Sequence, residues 1–407
     1  MVKEQDNTVS MLINGNRYHG WLSVEISTVL MNLAREFTLS VTRNNVDGKV
    51  NIPFQSGDEV QVMVGSDKLI TGYVDKVEVG YDSDKIDITV SGKSKTVDLM
   101  ECNIPLGKPH AWRNVPVTQI LGDLAAYYGI KVVDKVGLKD KSTLEVAPNE
   151  KIGDSIIKLL KKHSLLITDD ADGNLVIFSV EKAEQSTDAL VLGQNIWKGK
   201  RVVDVSNVFS DYAFLGQAKN ADSTQSVKAN QMKSAAHNEG SRTRWSVQTA
   251  SGAARQDLLN KRAMLTRNYT VGNADTYTYT VQGWRQSDGK LWTVGTKVVI
   301  QDGFVTFPDE SSKNEKSGVK NVRKLISKVV YRISSSGTTS EIECKSEDAF
   351  LVTEIEDVTK AGAVKQSKRT AGAKKKAKSN KSGGETGGGL VGIKKGSGRT
   401  NTTGNWT

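Results

Sequence analysis

Residues Phe54 to Cys102 read FQSGDEVQVMVGSDKLITGYVDKVEVGYDSDKIDITVSGKSKTVDLMEC, and the spacing inside this block decides the fold. Val60, Val62 and Val64 alternate with Glu59, Gln61 and Met63. Asp67-Lys68 turns the chain into a second run, Leu69 to Val79. A turn at Tyr81-Asp82-Ser83-Asp84 leads to a third, with Ile86, Ile88 and Val90 at every other position. Period-two apolar spacing between short polar turns predicts an antiparallel meander with one buried face. A lone meander leaves its edges exposed, so the sheet must close or pack, and a small β-barrel is the expected solution.

The same block carries a resemblance. Gly57-Asp58, Thr71-Gly72-Tyr73-Val74-Asp75 and Ser91-Gly92-Lys93-Ser94-Lys95-Thr96-Val97-Asp98-Leu99 stand in an order and spacing that resembles the N-terminal barrel of Mu-type baseplate hub proteins of contractile-tailed phages. Upstream, Gly20-Trp21 and Phe37-Thr38-Leu39-Ser40-Val41 resemble that family's opening strands. Further on, Trp292, Gly295, Val298, Leu325-Ile326, Val329, Tyr331 and Asp348-Ala349-Phe350 resemble its second barrel, with Ile342 where leucine is more usual.

A chain of 407 residues exceeds the size at which one core stops growing, so several domains are expected. The hydrophobic share of 37% and charged share of 25% suit a globular chain. No stretch approaches the roughly 18 apolar residues that span a bilayer. The first residues, MVKEQDNTVSMLING, are polar where a signal peptide needs an apolar run, so synthesis in a cytoplasm is expected. Cys102 and Cys344 lack CxxC spacing and are expected to be buried small residues rather than a disulfide or zinc site. The net charge of +10 divides unevenly. From Ala361 onward there are 11 basic residues and one acid, which accounts for all of it; the first 360 residues carry 45 of each sign.

The pattern along the chain predicts a mainly β protein with an α+β insert. Two small antiparallel β-barrels, 9–104 and 186–355, flank a helix-strand-helix-hairpin module, 105–185. A disordered basic tail, 356–407, follows. In the module, Val117, Ile120, Leu121, Leu124 and Tyr128 have helical spacing between Pro116 and Gly129. A second helix runs Asp154 to His163, then a hairpin joins Leu165–Thr168 to Leu175–Phe178. In the second barrel, Asp204–Phe209 leads as strand into Tyr212–Gly216, and 217–252 reads as a long exposed polar loop. Ala254–Tyr269 reads as a helix; Thr276–Trp284, Leu291–Asp302, Lys324–Tyr331 and Gly337–Cys344 read as strands around a second polar loop, 307–322. The tail's Gly, Ser and Lys content cannot bury enough surface to order itself.

Catalysis needs convergent titratable groups, and few are present. His19, His110, His163 and His237 are scattered, with no metal-binding spacing. Asp169, Asp170 and Asp172 resemble a calcium loop at a glance, but Val180 and Ser179 stand where a bidentate carboxylate belongs, so a hairpin turn is expected. Gly92-Lys93-Ser94 lacks the first glycine of a phosphate loop, Asp87 being in its place. No catalytic residue, cofactor or metal is therefore expected. Lys374, Lys375, Lys376 and Lys378 form the one candidate contact, for a partner protein or nonspecifically for phosphate backbone.

The resemblance implies a structural role and no enzymatic one. Hubs of this family are trimers in which each subunit contributes two similar barrels, giving a six-fold-like ring that seats on a hexameric tail tube and a three-fold end that seats the tail-spike protein. It implies a place in the virion tail baseplate after synthesis in the host cytoplasm. Partners would be the spike, the tube or its initiator and the baseplate wedge proteins, with the polar loops as contact points and DNA only in nonspecific transit. The alternatives are a hub with cell-wall hydrolase activity, a hub of a contractile bacteriocin-like particle, and a nucleic-acid binder driven by the tail. A hydrolase needs an inserted domain with paired carboxylates, which the sequence lacks.

Overall fold

A computed structural model describes residues 6–44, 52, 54–218, 231–239, 242–254, 256–305 and 321–351, all within one compact unit, residues 1–359. Seven strands come first: β1 (Val9–Ile13), β2 (Asn16–His19), β3 (Ser23–Val29), β4 (Glu36–Asn44), β5 (Glu59–Val64), β6 (Asp67–Tyr81) and β7 (Lys85–Ser94). The α+β module holds α1 (Val97–Glu101), β8 (Ala111–Pro116), α2 (Val117–Ala126), β9 (Val132–Asp134), β10 (Lys141–Glu145), α3 (Ile152–Lys162), β11 (Leu166–Asp169) and β12 (Leu175–Phe178). Then come β13 (Leu190–Val191), β14 (Ile196–Val203), β15 (Asp211–Ala218), β16 (Gln231–His237), β17 (Trp245–Ala254) and α4 (Gln256–Ala274). The last strands are β18 (Asp275–Gln282), β19 (Lys297–Gln301), β20 (Val322–Ser334) and β21 (Gly337–Lys345), closed by a 3-10 turn at Glu347–Phe350.

The period-two residues do what their spacing predicts. Ile86, Ile88 and Val90 of β7 and Val60, Val62 and Val64 of β5 are all buried, and the residues between them are not. Such alternation is the mark of a sheet with one face on a core. The core beneath is shared. One apolar cluster runs from Met11, Phe37 and Val62 to Tyr279, Trp284 and Trp292. The backbones join as well, because β3 pairs with β20 and makes one sheet of order β14-β18-β21-β20-β3-β4-β7-β6, with β5, β1 and β2 beyond.

The two strand sets share one plan. Each contains an antiparallel four-strand run, β3-β4-β7-β6 in the first and β14-β18-β21-β20 in the second. In each, the outer strand carries a further antiparallel partner, β5 on β6 and β19 on β20. Each also bears a bulge at the same place: one residue, Asp75, is skipped in β6 and one, Ser327, in β20. Where the first set turns tightly between β3 and β4, the second inserts residues 204–274.

That insertion corrects one expectation. The segment 217–252 is not simply an exposed loop: β16 and β17 lie in it and flank β15 in a separate three-stranded sheet. Phe214 packs there against Leu259 and Ala263 of α4. Two strand readings also shrink. Residues 204–209 are not strand, β14 ending at Val203, and Leu291–Asp302 reduces to β19, Lys297–Gln301. Of the loop 307–322, residues 307–320 lie outside the described residues, as does the tail 356–407; Val322 already belongs to β20. In the module, Pro116 precedes α2 and Gly129 (φ +68°) follows it, as the spacing predicts. The β8–β10 pair is an addition to that reading.

Candidate assembly surface

The eight-strand run has a second face, opposite the core, and it is polar from end to end. Period two places Thr276, Thr278 and Thr280 of β18 beside Glu341 and Glu343 of β21. Lys328 and Arg332 of β20 come next, then Glu25 and Ser27 of β3. Thr38 and Ser40 of β4, Thr89 and Ser91 of β7, and Lys76 and Glu78 of β6 continue the row. Val330 is the buried exception. Neighbouring strands bond across this face: the Ser40 and Thr89 hydroxyls lie 2.9 Å apart, Thr42 donates to Asp87 at 2.6 Å and Ser327 to Glu343 at 2.8 Å. A wall of hydroxyls with interleaved charges presents no large field of either sign.

The seam between the sets is built into this wall. Ile26 stands opposite Tyr331 on the core side, and Glu25 opposite Arg332 on the polar side. Arg332 donates from Nε to Glu25 and from Nη1 to Glu341, both at 3.0 Å, so one guanidinium spans three strands. Both pairs are partly exposed, where each contributes about 0–1 kcal/mol. Their effect is to fix register more than to add stability.

Two other arginines lock the sets and the module together. Arg35, in the turn between β3 and β4, reaches Asp169 at the end of β11. Its Nε donates to Oδ1 at 3.0 Å, Nη2 to the Asp169 carbonyl at 2.8 Å and Nη1 to the Leu69 carbonyl at 2.9 Å. Asp169 is buried. Burial pushes its carboxyl up, while Arg35 and the Ser94 hydroxyl pull it down. Arg285, after β18, pairs with Asp67 and donates to Asn7 Oδ1 and the Val64 carbonyl, each at 3.2 Å. Neither arginine was singled out from sequence; an arginine in a turn carries no periodic signal.

The run ends in two edges with different chemistry. β14 pairs with β18 alone among the described residues, and Trp197 and Val203 are 62% and 56% exposed. At the other end, β6 pairs with β5 only as far as Tyr73; from Lys76 to Tyr81 it pairs with β7 alone among the described residues. Tyr81 is 83% exposed.

The residues weighed for chemistry are otherwise occupied. Asp170 accepts from the amides of Asp172 and Asn174, each at 2.9 Å, which makes a turn. Lys93 pairs with Glu101 at 2.8 Å, and that carboxylate holds its ammonium above the usual range. The Ser94 hydroxyl lies 2.8 Å from that of Thr96. Gly92 has a backbone reason: an added Cβ would fall on the Tyr73 carbonyl and the Phe37 ring. His163 faces Asp140 at 3.2 Å and His237 faces Asp211 at 3.0 Å, in separate places. Cys344 is buried, which pushes its thiol up; Cys102 is only partly covered. Among the described residues no three His, Cys, Asp or Glu are placed to hold a metal ion, and no helix is long and apolar enough to cross a membrane. Lys374, Lys375, Lys376 and Lys378 lie outside the described residues.

Comparison with known proteins bears on the same regions. Residues 8–94 match the family model described as Mu phage baseplate assembly protein GpP-like, N-terminal, and residues 96–179 match baseplate hub protein gp44-like, second domain. The chain is similar to the baseplate hub protein gp44 of Escherichia phage Mu, 27% identical over 358 residues, which are 85% of this chain and 89% of that protein. The solved 43 kDa tail protein of prophage MuSo2 from Shewanella oneidensis is 25% identical, with a TM-score of 0.73 over 85% of this chain and 99% of that one. A tail protein from Neisseria meningitidis MC58, 18% identical, shares the fold at a TM-score of 0.70 over 85% and 98%.

Proposed function

We propose, for a chain that belongs with the Mu-type baseplate hub proteins of phage tails, that three copies close into a ring whose inner wall is the polar sheet face. The observation that carries this reading is the doubled four-strand plan within one continuous sheet. Three copies of two matched halves present six similar units, which suits a hexameric tail tube at one end. Three-fold symmetry suits a trimeric spike at the other. A near-neutral, hydroxyl-rich wall fits passage of DNA or protein without capture. The role is structural rather than catalytic. The inserted 204–274 domain, the module and the segment 307–322 are the places for baseplate neighbours, and Lys374 to Lys378 supply a basic contact for an acidic partner.

Native mass spectrometry of the purified chain tests this. Three times 44.3 kDa is the expected species at micromolar concentration. A dimer, or a monomer that persists when tube and spike proteins are added, overturns the ring. Removing residues 361–407 should leave the trimer intact; loss of assembly on that truncation would favour a tail-driven binder instead.

A further inference from the structure

We infer that the ring closes by pairing the free half of β6 in one copy with β14 of the next, in a register that the chain already displays internally. The inference rests on the ring reading and specifies where and how it closes. The template is the seam. Beyond its bulge at Ser327, β20 pairs with β3 from Lys328↔Val29 to Ile333↔Val24. Beyond its own bulge at Asp75, β6 has Lys76 to Tyr81 with no such partner among the described residues. In the doubled plan β6 corresponds to β20, and β14 corresponds to β3. The missing partner of β6 is therefore a second copy's β14.

Strand polarity agrees. Every neighbouring pair from β14 through β6 is antiparallel. Eight strands is an even number, so β6 meets the next β14 antiparallel, and alternation continues around the ring with no mismatch. An odd run would force one parallel join.

The correspondence fixes the register. Thr38 pairs with Ser91, and Thr278 with Glu343, at equivalent places, which aligns Glu25 with Lys200. Transferring the seam then sets Glu78 opposite Val202, Gly80 opposite Lys200 and Tyr81 opposite Gly199. On the polar side this brings Glu78 diagonal to Lys200 and places Asp82, just past the strand, by Lys198. Long side chains reach across such diagonals. On the core side, exposed Val79 and Tyr81 meet exposed Val203 and the bare backbone of Gly199. The charges are complementary. From Lys76 to Asp87 the arm carries four acids and two lysines, while Ile196–Val203 carries Lys198, Lys200 and Arg201 and no acid. A long exposed edge strand with a tryptophan and two valines is an aggregation hazard unless covered, and this pairing covers it.

Paired cysteines test the register directly. Glu78→Cys with Val202→Cys is expected to give a covalently linked trimer on mild oxidation, because directly opposed residues fall within the span a disulfide bridges, about 4.4–6.8 Å between Cα atoms. Glu78→Cys with Lys198→Cys, displaced four residues along the strand by roughly 13 Å, should not link. Each single variant controls for Cys102 and Cys344. Lys198→Glu with Lys200→Glu should weaken the trimer at least tenfold, and adding Glu78→Lys with Asp82→Lys should restore it. Linkage of the displaced pair, or a trimer unmoved by charge reversal, overturns this closure while leaving a ring standing. A wild-type chain that never trimerises overturns the ring itself.

Discussion

The two strand sets reach one backbone plan with different side chains. In the first, Leu39 stands at the place that Tyr279 takes in the second, Phe37 at that of Tyr277, and Gly92 at that of Cys344. The first core is largely aliphatic, with Met11, Val62 and Ile70; the second is weighted to Trp284, Trp292, Tyr279 and Tyr331. A core tolerates such exchange when volume and pattern are kept. What does not vary is the position of the bulges and the strand order, the features that a matched pair of ring units needs.

That comparison is broken most severely in the aromatic core. Trp284 is buried, and its indole N–H donates to the carbonyls of Thr339 at 2.9 Å and Arg332 at 3.2 Å. Trp284→Ala should cost about 4 kcal/mol, combining a cavity with two lost hydrogen bonds. Val62→Ala in the aliphatic set should cost less than half as much, and urea midpoints compare the two. Arg35→Met comes next, at about 3 kcal/mol near neutral pH, because it leaves Asp169 buried and unpaired. Only the upward push on that carboxyl then remains. A raised native pKa gives stability that is full below the unfolded carboxylate value and is lost as pH rises through the native one. Stability of Arg35→Met should therefore fall on going from acid to neutral pH, measured as the denaturation midpoint across that range.

Gly92→Ala sharpens the contrast with Cys344. The first site has no room for a methyl beside Phe37 and Tyr73, whereas the second already holds a side chain. We expect a cost of about 2 kcal/mol for the glycine change, by overpacking, and about 1 kcal/mol for Cys344→Ala, by lost contact. Thermal melts should rank them in that order. Arg332→Met is the mildest, below about 1 kcal/mol, with its effect visible as faster amide exchange across β3 and β20 rather than as a lower midpoint.

Legibility followed the apolar alternation. Strands β5 to β7 and hairpin β11–β12 read clearly because each buries a full face, and α2 because its stripe is flanked by Pro116 and Gly129. β16 and β17 did not, since the covered side of that small sheet offers Ser234, Ala236 and Ser246, which make no apolar rhythm. The β8–β10 pair buries little beyond Trp112 and Leu144. The pairing of β3 with β20 joins residues about 300 positions apart, and nothing local in either strand names its partner. The polar wall was visible only as the residues between the apolar ones; its continuity needed the strand order.

End-on electron cryomicroscopy of the assembled hub bears most directly on this account. It predicts a three-copy ring with an unbroken wall of 24 strands, three times the eight found here, in which Thr278, Glu25 and Ser91 face the channel. A ring whose channel is lined by other elements, with those three residues turned outward, would contradict it.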